Sequence, residues 1–222
     1  MRKKEVVIFG LGDFARLAAL YFEKDNAFKV AAFTADETYI DQFSWLGKPV
    51  VPFERLDEIY PPANFSLFVA IGFKEVNKAR ARVYEAGKKK GYELVSYVNS
   101  TAIEFGSVER GDNCFILEKT IIQPCVRIGN DVIIWSGTHV GHDSTIEDHV
   151  FIAPCVAISG NVRIGSHCFI GINATIRDGI TIASGCVIGA GAIILKDTAT
   201  NSVYAGKNTA RRGSVGNGLR GF

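Results

Sequence analysis

No stretch of the chain approaches the roughly 18 consecutive apolar residues that a membrane span requires. The early apolar run at residues 5–9 is too short for the apolar region of a secretory signal. The expectation is a protein that stays in the cytoplasm and has no membrane partner. A surplus of one charge is missing too: 25 basic and 23 acidic residues give a formal +2, too weak a field to hold nucleic acid or an anionic lipid surface. The short basic stretches Arg2-Lys3-Lys4 and Arg211-Arg212 read as solvated ends. Cysteine is scarce and badly spaced for chemistry. Cys114, Cys125, Cys155, Cys168 and Cys186 form no CxxC and are odd in number, which argues against a disulfide framework and against a structural zinc site. They are expected as reduced thiols packed like small apolar groups. What remains is a 222-residue chain, 47% hydrophobic and 22% charged, able to bury one or two cores.

The first hundred residues alternate short β-rich runs with segments of helical period, the signature of βαβ units around a parallel sheet. Strands are predicted at Glu5–Phe9, Lys29–Phe33, Leu67–Ile71 and Leu94–Tyr97, and helices at Asp13–Lys24, Phe53–Ile59 and Lys74–Gly87. The first helix opens directly after Gly10-Leu11-Gly12, and Gly10 to Ala15 has GxGxxA spacing, which lets a helix N-terminus approach a phosphate. Asp36 just after the second strand suggests a dinucleotide, but about 100 residues are too few for both halves of such a fold. A half-Rossmann-like α/β domain over residues 1–99 is the expectation.

A different rule governs the rest. Counting in sixes from Ile116 through Ile122, Ile128, Ile134 and Val140 to Ile194 meets only Ile or Val, and two residues before each sits a small or β-branched side chain, from Cys114 to Ala192. Such a run is an internal repeat. Each hexad reads as a short strand plus a tight corner, with a bulky and a smaller side chain pointing inward. Gly129, Gly141, Gly165, Gly171 and Gly189, directly after the bulky position, are expected to ease the backbone around the turn. Three walls give eighteen residues per coil, and the fourteen hexads give between four and five coils. A parallel β-helix over 100–222 is predicted, with a linker near Asn99–Glu109 and a tail after Lys196 that closes the last coil. Cys168 and Cys186 share an inward phase and are expected close together but unbonded. Trp135 stands in a corner slot where glycine is usual and is read as a packing residue.

The hexads, with pieces such as RIGNDV, RIGSHCFIGINATI and CVIGAGAII, resemble the hexapeptide-repeat acyltransferases. A βαβ domain ending in VSYVNSTA ahead of the prism resembles their sialic-acid O-acetyltransferase-like subgroup, which includes N-acetyltransferases of nucleotide-linked amino sugars. The resemblance covers essentially the whole chain. It implies a left-handed helix, a homotrimer, acetyl-CoA as donor, and a site between adjacent prisms.

In that subgroup a histidine followed by an acidic residue in mid-prism is the catalytic pair. The matching segment here is Val140-Gly141-His142-Asp143-Ser144, so the resemblance implies His142 as general base and Asp143 as its orienting partner. The chemistry suits it, since an attacking amine or hydroxyl must lose a proton and imidazole titrates near working pH. Nine residues on, where several relatives carry a second histidine near the donor thioester, this chain has Phe151. Gly160, one coil above His142, matches a glycine whose amide serves as an oxyanion donor, and Ile172 and Gly189-Ala190-Gly191 match the pantetheine path. A nucleotide-sugar site is implied at Gly10, Gly12 and Asp36, and at Gly72-Phe73-Lys74.

Blander readings stand beside these. His142 is otherwise a surface histidine at a subunit contact, and the N-terminal glycines otherwise only permit tight strand-to-helix packing. Histidines on such a prism also raise metal-dependent carbonic anhydrases, which need two imidazoles five residues apart on one chain. His139, His142, His149 and His167 are separated by 3, 7 and 18 residues, so no metal is expected. His139 is a secondary candidate for the His142 cleft. Sugar O-acetylation and a non-catalytic nucleotide-sugar-binding role are the rivals to N-acetylation. No cysteine shares the phase and height of His142, which favours direct transfer over a covalent relay.

Overall fold

The computed structural model describes residues 4–25, 28–106 and 108–207. Arg2, Lys3, Arg211 and Arg212, read above as solvated ends, lie outside them.

The N-terminal sheet is built from β1 (Lys4–Phe9), β2 (Phe28–Ala35), β3 (Ser44–Trp45), β4 (Lys48–Pro52) and β5 (Phe65–Val69), in the order β3-β4-β2-β1-β5. All pairings are parallel except β3 with β4. β1 lies between β2 and β5, so successive connections leave it on opposite sides. The carboxyl ends of β1 and β5 therefore flank the crevice where open α/β sheets bind ligands. Helix α1 (Asp13–Lys24) follows β1 as the spacing predicts, burying Ala15, Ala18, Ala19 and Phe22.

Several expected elements differ. Lys48–Pro52 was not anticipated as a strand: its two prolines hide the pattern, yet it pairs only with the end of β2 and the two-residue β3. Phe53–Ile59 divides into a 3₁₀ turn, Phe53–Arg55, and a short helix α2, Leu56–Ile59. The helix expected from Lys74 begins only at Lys78 as α3 (Lys78–Lys89), because Glu75, Val76 and Asn77 all have positive φ. Leu94 makes a single bridge to Leu67, while Tyr97–Val98 already belongs to the prism.

The prism has three walls of two-residue strands paired in parallel eighteen residues apart, shortened to sixteen at the last pairing, Val187–Ile188 with Val203–Tyr204. The first wall holds seven strands, from Tyr97–Val98 to Val203–Tyr204, the second six, from Ile103–Glu104 to Ile193–Ile194, and the third five, from Glu109–Arg110 to Thr181–Ile182. The coil is thus longer than the repeat alone suggests. Asn99–Glu109 is no linker: Ile103–Glu104 and Glu109–Arg110 pair with the next coil above. Their inward positions carry Glu104 and Arg110, a mutual ion pair, which breaks the Ile/Val pattern used to count. At the far end Val203–Tyr204 pairs with Val187–Ile188 and closes the last coil.

Inside, the bulky column and the smaller column form one continuous core, including Cys114, Ile116, Ile152, Ile164, Cys168, Cys186 and Ile188. Each fully buried isoleucine contributes about 1.5–3 kcal/mol. Thr120, Thr138 and Ser144 take smaller inward slots, and each hydroxyl donates to a corner carbonyl fifteen residues on. Cys168 and Cys186 are both free and buried, and burial pushes the Cys168 thiol up to about 12.

The corner glycines do not play the part expected of them. The left-handed backbone at each corner falls two residues earlier than the strand, at Asn113, Lys119, Cys125, Asp131, Gly137, Asp143, His149 and so on in sixes to Gly191. Gly141 has no positive φ. A Cβ there would lie 2.4 Å from the Ser159 carbonyl carbon, so glycine is required by the close approach of the next coil rather than by the turn.

Outward positions on the first wall are Phe115, Ile133, Phe151 and Phe169, against Arg127, Thr145, Arg163 and Thr181 on the third. The apolar wall is covered. α1 and the sheet lie on it, and one cluster joins Ala15, Ala18, Phe22 and Phe68 to Phe115, Leu117, Ile133, Phe151 and Ala153.

Candidate active site

His142 and Asp143 occupy the corner between the second and third walls. The His142 main-chain N–H donates to Gln123 Oε1 at 2.9 Å, Asp143 N–H donates to the Pro124 carbonyl, and Asn161 N–H from the coil above donates to the His142 carbonyl. The backbone is therefore fixed from both sides. The side chains remain about half exposed, at 53% and 55%. His142 Nδ1 lies 2.8 Å from Asp143 Oδ2. A carboxylate only accepts, so Nδ1 carries the proton and Nε2 presents its lone pair.

Gly160 lies against that nitrogen: a Cβ on it would sit 2.7 Å from His142 Nε2. Its backbone has no positive φ, so alanine is tolerated by the main chain but displaces the ring. Gly160→Ala is expected to lower kcat by about 10²-fold, the scale of a 1 Å misplacement, with the melting temperature little changed. Undiminished turnover in that variant would show that the imidazole position does not matter.

Gln123 was not anticipated. Its signal is the eighteen-residue step, which places residues 123–125 under the His142–Asp143 corner. The same step places Cys125 directly below Asp143, and it is exposed. His139 lies on the outer face of the second wall, between Ile121 and Ala157.

The remaining donor-side candidates are not gathered in one chain. Ile172, 45% exposed, shares the corner between the first and second walls with Gly189 and Ala190, one coil above. That corner is separated from His142 and Gly160 by the width of the second wall. Phe151 is a correction. It is 6% exposed, packed against Phe73, Trp135 and Phe169 under the N-terminal domain, and so is a packing residue rather than a neighbour of a thioester. Trp135 packs in the same seam, against Phe14.

The N-terminal candidates do converge. A cavity of about 320 Å³ is lined by Gly10, Leu11, Gly12, Asp36, Tyr39 and Lys74, with Glu75 and Arg82 at its side. It opens at the carboxyl ends of β1, β2 and β5, where the N-terminus of α1 adds unpaired N–H groups suited to an anion. Gly10 has φ +126 and a Cβ there would meet the Ala70 carbonyl at 2.9 Å, whereas nothing lies within 4 Å of a Cβ on Gly12. Gly10 is thus a packing requirement, and Gly12 leaves open space toward the cavity. Burial, followed by the charge of Glu54, raises the Asp36 carboxyl above its ordinary value. Tyr39 and Arg82 were missed, because neither belongs to a motif. Gly72 and Phe73 do not line this cavity: the Gly72 carbonyl accepts from Arg80, and Phe73 packs on Phe151 and Phe169 at the prism.

A second group was also missed. Arg80 and Asp131, both fully buried, pair at 2.9 Å between α3 and the prism. Asn113 Nδ2 donates to the same carboxylate, and His149 Nδ1 lies 2.9 Å from its other oxygen. His149 stacks on His167 with ring centroids 4.8 Å apart. Burial, then the nearby His149, lowers the His167 imidazole. Among the described residues no group of three or more His, Cys, Asp or Glu is arranged to hold a metal ion. No helix among them is long and apolar enough to cross a membrane.

Comparison with known proteins bears on the fold as a whole. The bacterial transferase hexapeptide family (six repeats) matches residues 111–142, 126–160 and 161–196. No curated protein matches the chain by sequence. Among solved structures, the perosamine N-acetyltransferase of Caulobacter crescentus, crystallised with CoA and GDP-perosamine, is 27% identical with a TM-score of 0.82, covering 91% of this chain and 93% of its own. The acetyltransferase domain of PglB from Neisseria gonorrhoeae, in complex with acetyl coenzyme A, is 26% identical with a TM-score of 0.81, covering 92% and 97%. WeeI from Acinetobacter baumannii, at 23% identity and a TM-score of 0.78 over 90% and 96%, shares the fold. With these repeats set on that whole-chain architecture, the chain is similar along nearly its whole length to acetyltransferases built on hexapeptide repeats.

Proposed function

We propose that the chain transfers an acetyl group from acetyl-CoA to the amino group of a nucleotide-linked deoxyamino sugar. The observation that carries this reading is the His142–Asp143 pair, half-exposed beneath Gly160, on a chain that matches the perosamine enzyme along nearly its whole length. That relative was crystallised with a single histidine replaced by Asn or by Ala, each time with CoA and GDP-perosamine bound.

In this reading the nucleotide lies in the cavity at Gly12, Asp36 and Lys74, with its diphosphate toward the N-terminus of α1. The neutral sugar amine attacks the thioester carbonyl. His142 Nε2 takes the N–H proton as the new C–N bond forms, Asp143 stabilises the imidazolium, and the Gly160 N–H faces the developing oxyanion. Collapse breaks the C–S bond, and the imidazolium returns the proton to the CoA sulfur. Because His142 and Gly160 stand a wall away from Ile172, Gly189 and Ala190, the complete site draws on two copies of the chain, and a homotrimer in the cytoplasm is the working form.

The test is a panel of nucleotide-linked amino sugars with acetyl-CoA, following free thiol. One or more members are expected to turn over with sequential kinetics. No thiol release above hydrolysis with any member would overturn the reading. Ping-pong kinetics abolished by Cys125→Ser would replace direct transfer by a relay through the thiol below Asp143.

A further inference from the structure

The segment between β5 and α3 holds the least comfortable backbone in the N-terminal domain. Glu75, Val76 and Asn77 have φ of 56°, 51° and 66°, three consecutive non-glycine residues in the left-handed region. The middle one is β-branched, for which positive φ is an outlier. L-residues visit this region singly, not in runs, and such a conformation persists only where its surroundings over-determine it.

The surroundings here are the prism. Asn77 is fully buried, and its Nδ2 donates to the Cys168 carbonyl at 2.9 Å. Arg80 Nη1 donates to the Gly72 carbonyl and to Asn77 Oδ1, each at 3.0 Å, so one guanidinium clasps the start and the end of the turn. The rest of that guanidinium is spent on the prism, with Nε on Asp131 Oδ1 and Nη2 on the Asp131 carbonyl. Phe73 adds a ring contact to Phe169 at 4.6 Å. Between these anchors, Lys74 and Glu75 line the cavity that also holds Gly12 and Asp36. Glu75 there pairs with Arg82 at 2.9 Å. The two ends of the turn are fastened to one domain while its middle faces the ligand cavity of the other.

We propose that Asn77 is a positioning residue for the acceptor: by holding the left-handed turn against the prism, it sets Lys74 and Glu75 at the nucleotide cavity. This rests on the acceptor reading given above. Asn77 touches no reacting atom, so its loss should raise the KM for the acceptor without comparable loss in kcat, and should leave the KM for acetyl-CoA unchanged.

The experiment compares Asn77→Ala, Asn77→Gly and Asn77→Ala with Val76→Gly, using steady-state kinetics with the best acceptor of the panel and titration calorimetry with UDP, GDP and dTDP. Asn77→Ala is expected to raise the acceptor KM and the nucleotide dissociation constant tenfold or more, with kcat within threefold and the acetyl-CoA KM within twofold. Adding Val76→Gly, which accepts positive φ freely, is expected to recover at least a third of the lost affinity. Asn77→Gly, which keeps the backbone without the anchor, is expected to fall between wild type and Asn77→Ala, and supplies the reading should the alanine variant fold poorly. Equal losses in kcat and both KM values, or no recovery with Val76→Gly, would overturn the positioning role and leave the acceptor reading standing. A wild type that binds none of the three nucleotides and acylates no panel member would overturn both.

Discussion

His142→Asn lowers kcat/KM by about 10²- to 10⁴-fold, the usual contribution of a positioned general base, while the acceptor still binds within a few-fold of wild type. Asparagine keeps the polarity and much of the shape at a half-exposed corner, so little stability is at stake. The main-chain bonds to Gln123 and Asn161 that fix this corner do not use the imidazole. Asp143→Asn is expected to be of similar severity, because it removes the charge that stabilises the imidazolium and its amide can donate to Nδ1, holding the proton on the wrong ring nitrogen. Calorimetry separates binding from catalysis: turnover unchanged in His142→Asn removes the base assignment, and loss of acceptor binding in step with turnover makes His142 a binding residue instead.

The second large effect is on stability. Asp131→Ala costs about 3–5 kcal/mol, the scale for breaking a buried ion pair by deleting one partner. Arg80 cannot shed its charge and is left in a dry site, where burial already lowers its pKa. Asn113 and His149 lose an acceptor at the same time. Replacing both partners together, Arg80→Met with Asp131→Leu, is expected to lose less than Asp131→Ala alone, since no orphaned charge remains. Urea unfolding at fixed protein concentration measures the order of the two variants. A double variant as unstable as the single would mean that the pair itself, not the orphaned charge, carries the energy.

What the sequence disclosed follows from distance along the chain. The inward columns repeat every six residues, so the prism is legible down to individual isoleucines, and the eighteen-residue step alone places Gly160 over His142. Where side chains depart from the Ile/Val rule, as at Glu104 and Arg110, the coil continued unseen. The cover over the first wall was also written in the chain, but only when outward positions are read every eighteenth residue, which separates Phe115, Ile133, Phe151 and Phe169 from the arginines and threonines of the third wall. Read every sixth, the three walls blur together, so the period gives no sign of the cover that packs on Phe151 to set against the donor-side place that the resemblance implies for it. Arg80 and Asp131 are 51 residues apart and share neither a period nor a motif, so nothing local joins them. Likewise the helical period beginning at Lys74 is real, but Asn77 and Arg80 bond to the prism and to Gly72 in preference to a longer helix.

The seam of rings between α1 and the first wall has a consequence for how the chain matures on the ribosome. Phe22 and Phe68 pack on Phe115, in one cluster that runs on to Ile133 and Phe151, so the half of the molecule made first completes its packing with the half made later. Folding is then coupled from end to end, and residues 1–99 expressed by themselves would expose an oily face that, in the intact protein, never meets water.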